Sequence, residues 1–475
     1  MTVRHLLGWR GGASRLALVV LLAQAPVLRA DEDKPWRLDA AAKTPPWLEL
    51  GGTYRVRYEA ISSSLFPRVE ESDRLLAKRL LFAVRAGKEK VFAKLELEDS
   101  RTQLDDEFTP LGTDDVNTAE FLQAHLGLGF SDALRKGDRL DLLAGRMTVD
   151  LGSRRLVSRS RYPNTVNGFT GFHGTWRGPG VPGGKAGEKA IEAQAFFLLP
   201  VDRLPTERDR LDDNEAQLDR DNSSVQFWGV YVSDPRLVAD LRGEVYVLAL
   251  QEGDRPSAPT RNRDFVTTGA RLLKSPARAR WDFEVETALQ LGESRRSTSA
   301  ADRNDLDHEA WFAHAHAAYT FDARWAPRLA LLYDYASGDD DPSDDENGSF
   351  DPLYGARDFE LGPTGIFGLL PRSNLSTPGA MVELSIGSGR SLMFAYRPAW
   401  LASRRDGLTS IGARDPSGAS GSFIGHQLEG RLRMNLLPGN IGLDIGAVYV
   451  SAGEFLAAQS VDDAIYGYVT TTFTF

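Results

Sequence analysis

The chain has 475 residues, 45 glycines, 24 prolines, no cysteine and a formal net charge of −10. The lack of cysteine excludes a thiolate metal site and a cysteine nucleophile, and it fits an oxidising compartment where disulfides are not used. Beyond the N-terminus there is no run of about 18 apolar residues, which excludes a helical membrane protein. A membrane β-barrel is not excluded, because its strands alternate apolar and polar residues and their mean hydropathy in any window is therefore low.

Residues 1–30 have the pattern of a signal peptide. Basic residues up to Arg15 precede the apolar run 16–23, and a short polar stretch leads to a small residue, Ala30, after which we place the cleavage site. Residues 31–46 are expected to form a periplasmic linker.

From residue 47 onwards the sequence alternates apolar and polar residues with a period of two, which predicts β-strands. Eighteen such segments occur, at 47–59, 74–86, 90–98, 118–130, 139–146, 167–177, 189–199, 224–233, 240–250, 264–273, 279–291, 308–321, 327–337, 378–387, 390–401, 422–436, 440–451 and 464–475.

Segments 281–291 and 423–436 have the most informative alternation. In the first, the apolar face holds Trp281, Phe283, Val285, Leu289 and Leu291, and the polar face holds Asp282, Glu284, Glu286 and Gln290. In the second, the apolar face holds Ile424, Leu428, Leu432, Met434 and Leu436, and the polar face holds Gln427, Glu429, Arg431, Arg433 and Asn435. A soluble sandwich also alternates, but highly charged strands of about 10–13 residues match a tilted bilayer crossing.

Long and short connections alternate along these strands, and among the short ones only Gly178–Glu188, which is rich in Gly and Pro, is longer. All long connections therefore lie at one end of a meander, as in outer-membrane proteins with long extracellular loops and short periplasmic turns. The terminal strand, Ala464–Phe475, ends on an aromatic residue. Unless it paired with the first strand, it would be an exposed edge strand that promotes aggregation. The sequence thus predicts an all-β fold: a single 18-stranded antiparallel outer-membrane β-barrel over residues 47–475.

A barrel of this size leaves an aqueous channel. Because lipid requires the apolar face outside, the polar face is expected to line the lumen, with Arg55, Arg57, Arg79, Arg85, Lys94, Arg431 and Arg433 among its cations. Clusters of Arg favour anions, and the guanidinium group suits carboxylates. The alternative is a ladder of Arg–Glu ion pairs that only stiffens the wall.

Several motifs resemble those of the bacterial alginate export porin family. They are Gly52–Glu59, Gly145–Val157 (GRMTVDLGSRRLV), Asn164, Phe169–Gly171, Tyr335–Asp339 (YASGD), Ser349–Tyr354, Gly425–Glu429, Leu437–Asn440 and Gly453–Leu456. Leu151, Ser153 and Thr170 stand where the family motif has Tyr, Asp and Asp.

The resemblance implies an 18-stranded outer-membrane barrel with an Arg-rich lumen that passes the polyanion alginate out of the periplasm. It adds Arg146, Arg154 and Arg155 to the lumenal cations, and Arg55, Arg57, Arg146 and Arg155 fall on matching positions. The implied partners are an anionic polysaccharide, outer-membrane lipid, the barrel assembly machinery and, as a further candidate, periplasmic polysaccharide-synthesis proteins. No nucleic-acid partner and no cofactor are expected.

The loop 338–376 holds a run of carboxylates. Asp339, Asp341 and Asp344 are weak candidate Ca²⁺ ligands, but the spacing lacks the DxDxDG register, so a solvated acidic loop is the better interpretation. If this loop folds inward, Gly362–Leu370 could pack inside the barrel and plug it.

His314 and His316 could bind Zn²⁺ on one strand face, but without an arranged third ligand in the sequence we interpret them as lumenal histidines.

Three functions are compatible with this pattern. The first is passive export of a uronate-rich, alginate-like polysaccharide through an Arg-lined lumen. The alternative is a porin for diffusive uptake of small anionic or neutral solutes. The third, an outer-membrane enzyme such as a lyase or lipase, is disfavoured because no catalytic motif appears.

Overall fold

The computed structural model describes residues 35–67, 72–179, 190–238, 240–255, 259–299 and 301–475. The predicted signal peptide, 1–30, lies outside the described residues. Within the described part of the chain, none of the helices has the length and apolarity needed to cross a bilayer.

Eighteen long strands form the wall. They are β1 Leu48–Ile61, β2 Asp73–Lys88, β3 Val91–Gln103, β4 Asn117–Ser131, β5 Arg139–Met147, β6 Phe169–Arg177, β7 Glu192–Asp202, β8 Val225–Val238, β9 Leu241–Glu252, β10 Asp264–Lys274, β11 Arg280–Ser294, β12 Leu306–Thr320, β13 Arg328–Ala336, β14 Leu375–Gly387, β15 Arg390–Trp400, β16 Phe423–Leu437, β17 Ile441–Ala452 and β18 Ala464–Thr474. Two-residue strands occur at Arg220–Asp221, Glu346–Asn347, Gly407–Leu408 and Ala413–Arg414. Three short helices are α1 Leu38–Ala42, α2 Arg208–Asp212 and α3 Glu454–Ala458.

Each wall strand pairs antiparallel with its neighbours, and β1 pairs with both β2 and β18. The predicted closed 18-stranded antiparallel barrel is therefore confirmed. At the seam Tyr54 lies opposite Phe473, and the backbone amide of Phe475 donates to Gly52 O at 3.1 Å. The last strand thus has no free edge on the side of β1.

The long connections lie at one end of the barrel, as predicted. We call them L1 to L9: 62–72, 104–116, 148–168, 203–224, 253–263, 295–305, 337–374, 401–422 and 453–463. At the other end the connections are short except for 178–191. The turn 388–389, for example, uses Gly389 in the left-handed region (φ 64°), which suits a tight hairpin. The predicted linker includes α1, where Trp36 and Arg37 bond to Asn440 and Gly439 of another short turn.

Along β11 the apolar side chains face outward and the polar side chains face inward, as predicted. Trp281, Val285 and Leu291 are 64%, 49% and 50% exposed on the outside, whereas Glu286 and Gln290 are 2% and 0% exposed on the inside. In β16 the predicted face is wrong at one position. A register shift opposite Ala399 and Trp400 turns Ile424 inward, where it joins an apolar cluster instead of facing lipid with Leu428.

The core sits inside the barrel, in the half nearest the long loops. Two apolar clusters fill it. One combines L7 residues such as Phe367 with Tyr466 and Val450 of the wall, and the other combines L3 residues such as Val157 with Phe227 of β8. The inward packing of Gly362–Leu370 is confirmed, since Ile366, Phe367, Leu369 and Leu370 are all buried there. L3 and L7 therefore enter the lumen.

Candidate functional site: the lumen and its inward loops

The wall strands β1 and β2 present three predicted lumenal arginines to L3. Arg55 Nη1 donates to Arg161 O at 2.5 Å, and Arg55 Nη2 donates to Pro163 O at 2.9 Å. Arg79 Nη1 donates to the same Pro163 carbonyl at 3.2 Å. Strand alternation points both side chains inward, and both are largely buried by the loop. Backbone carbonyls of L3 thus occupy these guanidinium groups.

Arg57 holds the same loop from the next inward position. Its Nε donates to Glu59 Oε1 at 2.6 Å, its Nη1 donates to Tyr162 O, and its guanidinium carbon lies 4.1 Å from the centre of the Tyr162 ring. The Tyr162 hydroxyl meets that of Tyr466 at 2.6 Å, and Tyr466 donates to Glu59. Burial, together with the charge of Glu59, raises the pKa of Tyr162, so it stays a neutral phenol.

Asn164 fixes the end of this segment of L3. It is fully buried, and its amide nitrogen donates to the carbonyl oxygens of Lys78, Arg101 and Asp115 at 3.1, 3.2 and 2.8 Å. One side chain therefore joins L3 to two wall strands and to L2. The sequence singled out Asn164 only as part of a motif, and its anchoring role follows from the structure.

Arg155 of L3 lies inside the barrel, between wall strand β11 and L7. Its Nε donates to Glu360 Oε2 of L7 at 2.9 Å, its Nη1 donates to Glu284 Oε1 at 2.5 Å, and Glu286 accepts from the same nitrogen. Arg372 Nη2 also donates to Glu360 at 3.0 Å. Burial alone would raise the pKa of Glu360, but the neighbouring Arg155, His314 and Arg372 lower it below its usual range. We call Arg155, Arg372, Glu284, Glu286 and Glu360 the central ion-pair network.

Histidines border this network. His314 Nδ1 lies 2.6 Å from Asp334 Oδ1, and ligand atoms of His314, Asp334 and Glu360 lie within 4.8 Å of one another. Three such groups could hold a metal ion, but Arg397 donates to Asp334 at 3.0 Å while Arg155 and Arg372 bind Glu360. Because guanidinium groups already neutralise these carboxylates, the donor set fits an ion-pair network better than a metal site.

The remaining predicted lumenal cations lie in other environments. At the short-turn end Arg85 pairs with Glu49 at 3.0 Å and Lys94 with Glu96 at 3.5 Å. On β16, Arg431 and Arg433 share Asp444 at 2.5 and 3.2 Å. These four side chains line the inner wall in ion pairs.

Arg146 and Arg154 differ from the others. Arg146 lies on the same strand face as Leu142, which is exposed outside, and it pairs with Glu120 at 2.7 Å and Asp221 at 3.1 Å at the long-loop rim. Arg154, in L3, lies over the Phe359 ring at 4.9 Å. The structure does not place Arg146 together with Arg155.

The acidic run of L7 surrounds a side chain of this same chain. Arg296 of L6 donates to Asp339 Oδ2 at 3.0 Å, Asp344 Oδ1 at 3.2 Å and Glu346 O at 2.9 Å, and to the carbonyls of Asp341 and Asp344. The three candidate Ca²⁺ ligands thus converge, but on a guanidinium group. The solvated acidic loop expected from the sequence is in fact tied to L6.

Sequence reasoning missed several of these residues. Arg271, Arg328 and Arg397 lie on inward faces of β10, β13 and β15 and pair with wall carboxylates, so the two-residue period could have identified them. Arg296, Glu360 and Arg372 lie in loops, which have no period that assigns a face.

Comparison with known structures supports the fold. The outer-membrane protein OpdK of Pseudomonas aeruginosa, solved with vanillate, matches with a TM-score of 0.53 and 12% identity over 90% of this chain and 98% of that one. OccAB1 of Acinetobacter baumannii matches with a TM-score of 0.54 and 12% identity over 94% and 98%. OpdQ of Pseudomonas aeruginosa matches with a TM-score of 0.53 and 12% identity over 90% and 97%. A search of curated proteins gave no match.

These likenesses show the fold, which this chain shares with the outer-membrane protein OpdK. The family model described as alginate export matches residues 46–468, which is nearly the whole barrel. The family that the motifs resembled is thereby confirmed: this chain belongs to the alginate export family.

Proposed function

We propose that this outer-membrane channel passively exports an anionic, uronate-rich polysaccharide through its Arg-bearing lumen. The observation that carries the proposal is the placement of Arg55 and Arg79. They are direct cross-strand partners in the register of β1 and β2, and both point inward. In the described part of the chain, no carboxylate lies within ion-pair distance of either guanidinium group.

Two like charges directly opposite each other weaken a sheet. A wall selected only for stability would place a carboxylate beside one of them, as the wall does for Arg271 and Arg328. Here, neutral carbonyls of L3 accept the hydrogen bonds. If L3 withdraws, two guanidinium groups that make no ion pair of their own face the lumen, and such groups bind carboxylates in a bidentate geometry. Successive weak sites of this kind let an anionic chain enter and move on.

The test is the reversal potential of the purified protein in planar bilayers under a KCl gradient. We expect anion selectivity, block by oligouronate, and a marked loss of both in the double variant Arg55→Gln, Arg79→Gln. Lys78→Gln is the matched control, because Lys78 neighbours Arg79 but lies on the opposite, lipid-facing side of β2. Cation selectivity of the unmodified protein would contradict the proposal.

The second candidate is a porin for diffusive uptake of small anionic or neutral solutes. Two observations favour it: the solved neighbour OpdK was crystallised with the small molecule vanillate, and here L3 and L7 fill much of the lumen. Uptake of small organic acids into liposomes, measured with and without oligouronate, separates the two. Rapid uptake without oligouronate block supports the porin.

The proposal includes the compartment and partners expected from the sequence. Residues 1–30 would direct export, the barrel assembly machinery would insert the wall, outer-membrane lipid would surround it, and periplasmic polysaccharide-synthesis proteins would supply the polymer. The role proposed is transport and not catalysis. Assays for lyase and lipase activity on candidate polymers and lipids test that point directly.

A further inference from the structure

A second feature of the lumen is a cavity at its long-loop end. It has a volume of about 680 Å³ and is lined by residues of L1, L2, L3, L4, L7 and L8. We call it the outer cavity. Its size falls in the range of small-molecule sites, about 300–1,000 Å³. The volume suits one or two sugar units and not an extended polymer.

Three guanidinium groups line the outer cavity, and they are not equivalent. Arg203 is paired with Asp114, and Arg372 with Glu360. Arg357 donates one hydrogen bond, from Nη1 to Leu370 O at 2.9 Å, and in the described residues no carboxylate lies within ion-pair distance of it. Burial lowers the pKa of Arg357 to about 10, so it remains a cation at neutral pH. Its side chain keeps some accessible surface, so a ligand can reach it.

Two other buried hydrogen-bond donors in the lining also favour a ligand with hydrogen-bond acceptors. Arg372 is 3% exposed, and its Nε has no hydrogen-bond partner. The Thr364 hydroxyl is buried and also has none. Both residues line the outer cavity. Buried polar groups are rarely left unsatisfied. A ligand with several oxygen atoms that inserts beside Arg372 and Thr364 would satisfy them.

The rest of the lining defines the ligand class. The hydroxyl-bearing residues Ser160, Thr165, Thr409 and Ser410 line the cavity beside the carboxyl groups of Asp115 and Asp358. Thr165 and Ser410 already donate to the carbonyls of Thr113 and Leu369. The carboxyl groups and the other two hydroxyl groups are available to ligand hydroxyls, for which an apolar acid offers no partner. We propose that the outer cavity binds a small hydroxylated carboxylate, a uronic acid being the model, with Arg357 holding the carboxylate. The proposal deepens the proposed function and rests on it, since the site would meet the anionic saccharide at the mouth of the channel.

The experiment is calorimetric titration of the full-length protein in detergent with glucuronate, glucose and benzoate. We expect glucuronate to bind at least about tenfold more tightly than glucose, which lacks the carboxylate that Arg357 would hold by charge-assisted hydrogen bonds. We expect a similar preference over benzoate, which has the carboxylate but lacks the hydroxyl groups. Arg357→Gln should weaken glucuronate binding by about tenfold or more. The control, Arg414→Gln, removes an exposed arginine of L8 that lies outside the cavity and should leave binding unchanged.

Thr364→Val provides a second variant that keeps all charges and should weaken glucuronate and not benzoate. Circular dichroism melting checks that each variant is folded. Undetectable glucuronate binding, equal affinity for benzoate, or equal affinity in the folded Arg357→Gln variant would overturn the proposal. Failure of this site is distinguishable from failure of the channel function, because Arg357→Gln keeps Arg55 and Arg79 and hence the anion-selective reversal potential.

Discussion

Arg155 and Glu360 join the two inward loops at the centre of the barrel. Arg155 Nε of L3 donates to Glu360 Oε2 of L7 at 2.9 Å, and the two residues are 205 positions apart in the sequence. The wall carboxylates Glu284 and Glu286 accept from the same guanidinium group. One cation therefore links L3 to L7 and to wall strand β11.

Removing this cation should loosen both loops. In Arg155→Gln, Glu284, Glu286 and Glu360 lose their shared partner, and breaking a buried ion pair from one side costs about 3–5 kcal/mol. We expect a lower melting temperature and a larger single-channel conductance in planar bilayers. Arg154→Gln, next to it in L3 and in contact with Phe359, is the control and should leave conductance unchanged. Unchanged conductance of a folded Arg155→Gln variant would contradict the role of Arg155.

The apolar run of L7 gives a second prediction. Phe367 is 1% exposed and contacts the Tyr466 ring with centroids 5.2 Å apart, and Leu369 and Leu370 are buried beside it. Replacing Gly362–Leu370 with a short Gly-Ser linker should raise single-channel conductance because the plug is removed. The milder Phe367→Ala should lower stability by about 3–5 kcal/mol, the usual cost of truncating a buried Phe. If the deletion leaves conductance unchanged, L7 does not obstruct the channel.

Asp115 makes L2 sensitive to pH. Burial, together with the neighbouring charge of Asp114, raises the pKa of Asp115 to about 7. Because this value exceeds the ordinary carboxyl pKa of about 4, folded L2 binds the proton more tightly than unfolded L2. The stabilisation is complete below pH 4 and is lost as the pH rises to about 7.

We therefore expect L2 to open more readily at pH 8 than at pH 5. Each unit of pKa shift corresponds to about 1.4 kcal/mol, or about tenfold in the opening equilibrium. Hydrogen exchange of L2 amides, corrected for the intrinsic pH dependence, measures the effect. Asp115→Asn should abolish the pH dependence, and Glu107→Gln, at an exposed position of the same loop, should keep it. A pH dependence that persists in Asp115→Asn would point to another group.

Arg296 occupies the acidic run of L7 in place of a metal ion. Its guanidinium group lies among oxygens of Asp339, Asp344 and Glu346 at 2.9–3.2 Å. Ca²⁺ binds six to eight such oxygens, so Arg296→Ala should create a Ca²⁺-dependent loop. We expect Ca²⁺ to raise the melting temperature of this variant and chelator to reverse the rise, with no effect on the unmodified protein.

The control for this experiment is Arg295→Ala, because Arg295 pairs with Asp254 and Asp305 outside the acidic run. It should show no response to Ca²⁺. Stabilisation of the unmodified protein by Ca²⁺ would instead mean that metal binds while Arg296 is still in place.

The strand predictions succeeded because a period of two is a local property. It placed Glu284 and Glu286 on the inner face of β11 and Val285 on the outer face without any knowledge of partners. It failed at Ile424, where a register shift in the pairing of β15 with β16 reverses the face, and a bulge of this kind leaves no period in the sequence. The ends of strands were also missed, as in β3, which continues past the predicted end at 98 to Gln103.

The sequence by itself determined the number of strands, their faces and the end at which the long loops lie, because lipid on one side and water on the other impose alternation on every strand. It also identified Arg55, Arg79 and Arg155 as inward or motif-bearing cations. Only the tertiary structure decided what each of them contacts: uncharged L3 carbonyls for the first two, and the carboxylates of Glu284, Glu286 and Glu360 for the third. The reason is physical, since ion pairs and loop insertion join residues 84 to 205 positions apart, and a two-residue period describes only neighbouring positions.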